Sequence, residues 1–427
     1  MRKVFGIVFS AVLLLIAGAP VTRAQGASLW TIQRADRQVL VDDIAYYQFT
    51  VVVGPGQYDK IRIHRVVREQ SPYQPLHLSQ AIMFFAGEPT YFASLYIEPL
   101  ISAVPARDRS IAIYLAKNDI DVWGMDYRWA LVPENTTDFR FMKDWGIARD
   151  AEDAQIALTF ARSIRGSPFE PSGPLLLTGL SYGAMMTYAV AASDTQRPPK
   201  LRNVKGIIPL DCGLKYNNAD ATAEACSDLP YRHQLIASGT YYYDNRSMWQ
   251  MGQLASSDPN GTSPFGPPLT NFQFALVVAT EPNDPVIPWH FAGGYFDPSG
   301  MPYDLRFTEP RLWFDLLAHN EPPYSPVQLD VEGDAVQCGT PGRDARFADH
   351  LGDITVPILY MGAAGGFGPW GDYTTTLTAS KDVTIHIVQV LSDAEQSEDY
   401  GHADLVAAKD AKTLVWQPIL DWLKTHH

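Results

Sequence analysis

The sequence predicts an α/β fold, a largely parallel sheet with helices on both faces, and three observations predict it. Short continuous apolar runs recur, Ala81–Ala86 and Leu175–Thr178 among them, as in strands buried on both faces. Segments with apolar residues at helical spacing alternate with those runs, the longest being Trp145–Ile164. The alternation stops near residue 213 and resumes near residue 356, so one sheet is interrupted by a long insertion.

The elements follow in order. From Leu29 to Arg68 apolar and polar residues alternate. Ile44–Val53 and Lys60–Val67 read as antiparallel strands joined at Gly54-Pro55-Gly56. Ala81–Ala86 is a buried strand, Ser110–Asn118 a helix, and Asp121–Asp126 the next strand. The helix over Trp145–Ile164 stops at Arg165-Gly166. Leu175–Thr178 is a strand, Ala184–Ala192 a helix, and Val204–Leu210 a strand. Residues 213–350 are rich in Pro, Gly, Asn and aromatics, and a stretch of that length is too long for a plain loop, so it reads as a cap. Strands at Val356–Met361 and Val383–Val390 and a helix from about Ala403 to Lys424 complete the chain. The expected division is a leader over 1–24, a core over 25–212 and 351–427, and the cap over 213–350. The sequence holds no internal repeat and no low-complexity tract.

The 427 residues are 46% hydrophobic and 19% charged, enough for a sizeable core and unlike a disordered or coiled-coil chain. Met1-Arg2-Lys3, an apolar run to Ala19 and Thr22-Arg23-Ala24 read as a secretory signal peptide cleaved after Ala24. The alternative, an uncleaved anchor, is disfavoured by the short apolar stretch, and no later run reaches the ~20 residues of a membrane span. The expected location is therefore secreted or periplasmic. Cleavage removes three cations, taking the formal charge from −14 to −17. Such a surface repels phosphate backbones and argues against nucleic acid as a partner. Export permits a disulfide among Cys212, Cys226 and Cys338. Cys212 and Cys226 are near enough in sequence to close a short loop, but any pairing leaves one thiol over and the connectivity stays open. The cysteine spacing does not resemble a zinc site.

Chemistry enters with Gly179-Leu180-Ser181-Tyr182-Gly183, a G-x-S-x-G. By chance the pattern occurs in roughly one chain in seven of this length, so its context has to decide. An apolar strand runs into it and a helical run leaves it. A serine on such a strand-to-helix turn is held in a strained conformation that lifts its hydroxyl above the sheet. Side chains at 179 and 183 would collide with the neighbouring strand and helix. The helix beginning beside the serine offers free N–H groups to a developing negative charge.

With these residues the chain resembles the α/β-hydrolase fold superfamily, serine esterase- or lipase-like, over most of the sequence outside the insertion. That resemblance implies a nucleophile, acid and histidine in that chain order. Ser181 is then the nucleophile. His402, in Gly401-His402-Ala403-Asp404-Leu405 after the last strand, is the base. His386 lies inside that strand, and His233, His290 and His319 could line a pocket in the cap. Two acids compete. Asp211 ends the strand before the cap, similar to pancreatic-type lipases, and Asp372 stands late in the loop after Val356–Met361. Asp211 is favoured because catalytic groups sit at strand carboxyl ends. The oxyanion hole is expected from the backbone N–H groups of Tyr182 and Glu88. Glu88 lies in Ala86-Gly87-Glu88-Pro89, which resembles the family's His-Gly-x-Pro loop with Ala86 in place of histidine. Asp126-Tyr127-Arg128 resembles the family's Asp-x-Arg element and reads as a structural ion pair.

The implied function is hydrolysis of an ester or related acyl bond through an acyl-enzyme, with no metal or organic cofactor called for. Peptidase or amidase chemistry on the same triad, or binding without catalysis on the same scaffold, are the alternatives. The aromatics of the insertion, Tyr241-Tyr242-Tyr243, Trp249, Phe265, Phe272, Phe274, Trp289, Phe291, Tyr295 and Phe296, are either a pocket roof for a bulky or acyl-bearing small molecule or the cap's own core.

Overall fold

Side chains alternate along each strand, so a strand buried on both faces feeds two cores at once. The computed structural model, which describes residues 30–166, 172–319, 322–340, 342 and 344–426, shows this in its central sheet. The expected leader lies outside the described residues. An antiparallel ribbon comes first: β1 (Thr31–Val41), β2 (Ile44–Val52) and β3 (Lys60–Ser71), with the short β4 (Gln74–Pro75) on β3. Then follow β5 (Ala81–Phe85), α1 (Phe92–Tyr96), α2 (Ile111–Lys117), β6 (Asp121–Asp126) and α3 (Ile147–Arg165). After these come β7 (Leu175–Leu180), α4 (Tyr182–Thr195) and β8 (Val204–Leu210).

The sheet order is β1-β2-β3-β6-β5-β7-β8-β13-β14, where β13 is Ile358–Ala363 and β14 is Val383–Val388. All pairings from β6 to β14 are parallel. On β5, Met83 and Phe85 join one buried cluster with Trp123, Phe160 and Tyr188. Ile82 and Phe84 join the other with Tyr96, Trp416 and Leu423. Each such side chain fully buried adds roughly 1.5–3 kcal/mol.

Between β8 and β13 the chain leaves the sheet. It forms α5 (Ala219–Ala237), β9 (Tyr242–Asp244), α6 (Arg246–Ser257), α7 (Asn271–Thr280), β10 (Gly294–Phe296), β11 (Pro302–Leu305), α8 (Pro310–Ala318), β12 (Tyr324–Pro326) and α9 (Val327–Cys338). Met251, Leu276, Trp313, Phe314 and Leu317 form a third apolar cluster there, joined by Phe265, Phe272 and Phe274. Four of the eleven aromatics singled out in the insertion, Phe265, Phe272, Phe274 and Phe291, thus pack on this local core, while Tyr241 and Tyr242 pack on the core of the sheet. After β13 come α10 (Gly368–Gly371) and α11 (Tyr373–Thr376), and after β14 come α12 (Asp404–Ala407) and α13 (Gln417–Thr425).

Two expectations need correction, and the cysteine pairing left open by the sequence is now fixed. The final helix is not continuous: Ala408 turns extended at φ −61° and ψ 147°, and Lys409 N–H donates to Phe307 O at 3.0 Å. That bond to the insertion takes the chain off the helical path. Asp126 and Arg128 do not pair with each other. Asp126 meets His64 Nε2 at 3.0 Å and Arg62 at 3.3 Å, while Arg128 is bidentate on Asp153 and also reaches Asp59. Cys226 is bonded to Cys338, joining α5 to the end of α9, and Cys212 is a buried free thiol. Burial pushes that thiol up to about 12, so it is not a nucleophile at neutral pH.

One buried carboxyl sits directly behind the turn at Ser181. Asp150 of α3 accepts hydrogen bonds on Oδ2 from Trp129 Nε1 at 3.0 Å and from Tyr182 OH at 2.7 Å. Burial, reinforced by Asp153 and Glu332, pushes it up to about 8 despite those two donors.

Two predictions follow from these contacts. A Cys226→Ser/Cys338→Ser double variant should lose about 2–4 kcal/mol in chemical denaturation, because the bridge closes a long loop of the unfolded chain; equal midpoints would show the bridge contributes nothing. The second concerns Asp150. Its folded pKa exceeds the unfolded value of about 4, so the folded protein holds the extra proton between the two. The stability this gives is present at low pH and is lost as pH rises toward 8. Asp150→Asn cannot ionise, and should flatten the fall in Tm between pH 5 and pH 8 by roughly 1–3 °C. An unchanged slope would contradict an ionising Asp150.

Candidate active site

The turn at Ser181 is built by close approach. Ser181 stands between β7 and α4 at φ 60° and ψ −124°, a positive φ that a side chain adopts only under strain. A Cβ at Gly179 would lie 2.6 Å from the backbone of Gly183 and from Phe85 O, and one at Gly183 would lie 2.1 Å from Phe85 O. Only glycine lets the turn press against β5. Helix α4 starts at Tyr182, and its first hydrogen-bonded N–H groups are those of Ala184 and Met185 on Ser181 O, so the Tyr182 N–H has no intrahelical acceptor. The loop after β5 lies against the same spot, since a Cβ on Gly87 would be 3.3 Å from Ser181 Cβ.

Asp211 continues β8 by one residue and also has a positive φ, 53°. It is fully buried. Its Oδ1 accepts from Ala363 N–H at 2.7 Å, and its Oδ2 from Phe367 N–H at 3.1 Å and from His402 Nδ1 at 2.7 Å. Asp372, the competing acid, is the residue before α11, where its carbonyl accepts from Thr375 N–H. Of the two, Asp211 is the one on the imidazole.

His402 is 3% exposed and walled by rings: Trp289 at 5.3 Å, Phe367 at 5.3 Å and Phe291 at 6.3 Å between centroids. Two carboxylates shape its loop. Asp399 accepts from the N–H groups of Val390, Leu391 and Tyr400. Asp404 accepts from Gly401 N–H at 2.8 Å, Gly293 N–H at 2.9 Å and Thr308 Oγ1 at 2.6 Å. Burial pushes Asp404 up to about 7 against those three donors. The insertion is therefore part of the histidine's support. The backbone says the same: His402 N–H donates to His290 O at 2.9 Å and Ala403 N–H to Phe291 O at 2.7 Å.

Ser181 and His402 line one cavity of about 100 Å³. Its other walls are mostly apolar: Leu95 and Leu180 from the core, and Met248, Phe291, Trp313 and Leu317 from the insertion. Glu88 lines it too. By area its side chain is exposed, yet enclosure by protein pushes its carboxyl up to about 7, with Asp330 adding to the shift and Ser325 and Arg232 opposing it. Both facts fit a group facing the cavity, where water reaches its surface while protein surrounds it on most sides.

The remaining histidines are elsewhere. His290 is buried, its Nε2 2.8 Å from Asp399 O, and burial lowers its pKa. His233 faces a surface groove 3.5 Å from Asp344, and His319 Nδ1 bonds Asp315 O. His386 is half-buried in β14. From the sequence no role was assigned to Asp404, Phe367, Trp313 or Leu317, whereas Trp289 already stood among the insertion aromatics. Asp404 had a signal, standing two residues after His402. The others had none, because contacts between the insertion and the histidine loop leave no mark in sequence spacing.

No protein-family model matches the chain, and no curated protein sequence matches it. Solved structures do. A candidate lipase from Sulfolobus solfataricus overlays with a TM-score of 0.65 at 19% identity, covering 93% of this chain and 99% of its own. A monoglyceride lipase from Saccharomyces cerevisiae overlays at 0.46 and 11% identity, covering 96% and 99%, and a thermophilic esterase from Thermogutta terrifontis at 0.43 and 11%, covering 89% and 99%. At such identities the likeness is one of fold. Parallel strands flanked by helices, a sharp strand-to-helix turn at Ser181 after β7 and an overlay across nearly the whole chain agree: this protein has the α/β-hydrolase fold.

Proposed function

We propose that this protein is an exported serine hydrolase that cleaves an ester or related acyl bond through an acyl-enzyme. What carries the reading is the buried 2.7 Å contact between Asp211 Oδ2 and His402 Nδ1, together with the cavity that Ser181 and His402 both line. A carboxylate on Nδ1 leaves Nε2 as the nitrogen that can take a proton from the serine hydroxyl. Ser181 Oγ attacks the acyl carbon as His402 Nε2 removes its proton. The N–H groups of Tyr182 and Glu88 hold the oxyanion. The imidazolium, stabilised by Asp211, returns the proton to the leaving group. Water then attacks the acyl-enzyme by the same steps in reverse, releasing the acid and restoring Ser181.

The apolar walls favour an acyl-bearing small molecule. Among the described residues no helix is long and apolar enough to cross a membrane. Export rests on the N-terminal segment, and the amino terminus of the secreted protein would begin at Gln25 if cleavage follows Ala24.

The test is a fluorophosphonate probe with a panel of p-nitrophenyl esters and anilides. Wild type should be labelled and should turn over esters faster than anilides. Ser181→Ala should lose labelling and drop kcat by on the order of 10⁵–10⁶-fold, and Asp211→Asn by about 10³–10⁴-fold with the fold intact. Asp372→Asn should stay near wild type. A folded, unlabelled wild type would mean a binding protein on this scaffold. Faster turnover of anilides would mean a peptidase or amidase.

A further inference from the structure

Resting on the hydrolase reading above, we infer that the acyl group of the substrate is short, and that Leu317 and Trp313 of α8 set the limit. The cavity beside Ser181 measures about 100 Å³. An apolar protein cavity of about 150 Å³ holds one benzene ring, so this one takes a smaller group, about two to four carbons of an acyl chain. A bulky or long acyl chain, open as an expectation in the sequence, does not fit within these walls.

The walls made by α8 and by the core are held by packing. Trp313 is 4% exposed, its Nε1 donates to Ala275 O at 3.1 Å, and its ring lies 5.2 Å from that of Phe291. Phe291 is held in turn by the bond from Ala403 N–H to its carbonyl. Leu317 is 1% exposed and backed by α6: a Cβ on Gly252 would lie 2.6 Å from Leu317 Cβ and 2.2 Å from Ala318 N. That contact leaves α8 no room to retreat. Across the cavity, Leu95 and Leu180 are buried against the sheet core. The insertion also shares Asp404 and two backbone bonds with the histidine loop, so lifting it would displace the base along with the wall.

The test is kcat/KM for p-nitrophenyl acetate, butyrate, octanoate and laurate. For wild type the value should be highest at acetate or butyrate and fall at least tenfold by octanoate, the scale at which a pocket discriminates on added methylenes. Leu317→Ala should raise the octanoate-to-acetate ratio at least tenfold, and Trp313→Leu should move it the same way. Should either variant fail to fold, the wild-type profile alone decides. Octanoate turned over as well as butyrate by an enzyme labelled at Ser181 would overturn the size limit while leaving the hydrolase reading in place. No turnover of any ester, with no labelling, would remove the hydrolase reading and this inference together.

Discussion

The arrangement depends on one buried carboxylate. Asp211 holds its carboxyl where no water reaches it, a placement that for a carboxylate costs several kcal/mol unless hydrogen bonds compensate. Three donors do so, and each comes from a different place: Ala363 at the end of β13, Phe367 in the loop beyond it, and His402 after β14. The ends of two parallel strands, one loop and the imidazole are gathered at a single group. The backbone is in register beneath it, with Asp211 N–H on Met361 O and Ser181 N–H on Leu210 O. Residues 181 and 211 thus extend adjacent strands, and both hold positive φ. Strain of about 1–3 kcal/mol at each is tolerated because the sheet on either side leaves the chain no other path.

The insertion is tied to this centre, which sets it apart from a lid on two hinges. His290 and Phe291 give their carbonyls to the histidine loop, and Gly293 and Thr308 give donors to Asp404. Lys409, just past α12, returns a bond to Phe307. A helix running unbroken from Ala403 would carry residues 408–409 away from Phe307. The break at Ala408 and the docking of the insertion are one event.

Much of the fold was legible because buried parallel strands write continuous apolar runs. Val204–Leu210 and Asp121–Asp126 were bounded as the structure bounds them. The nucleophile turn was legible for a steric reason, since glycines at 179 and 183 have no substitute against the Phe85 carbonyl. Three things were hidden, all involving residues far apart in sequence. The pairing of Cys226 with Cys338 depends on α5 lying along α9. The partners of Asp126 and Arg128, His64 and Asp153 among them, come from β3 and α3. The division of the insertion's aromatics between its own core, where Phe265 and Phe272 went, and the cavity wall beside Ser181 and His402, where Phe291 went, depends on a docking that no local period records.

The glycine-rich loop after β13 follows from the same carboxylate. In sequence it looked like a strand end that had lost its acid. In space, a Cβ at Gly366 would lie 2.0 Å from Asp211 Oδ2, and one at Gly365 would lie 2.2 Å from His290 Cε1. The room that a side chain would need there is filled by the acid arriving from β8 and by the histidine arriving from the insertion. An acid on that loop and an acid at the end of β8 would compete for one position beside His402. Having Asp211 in it, the loop can pass only as bare backbone, and its N–H at Phe367 becomes one of the donors that hold the charge.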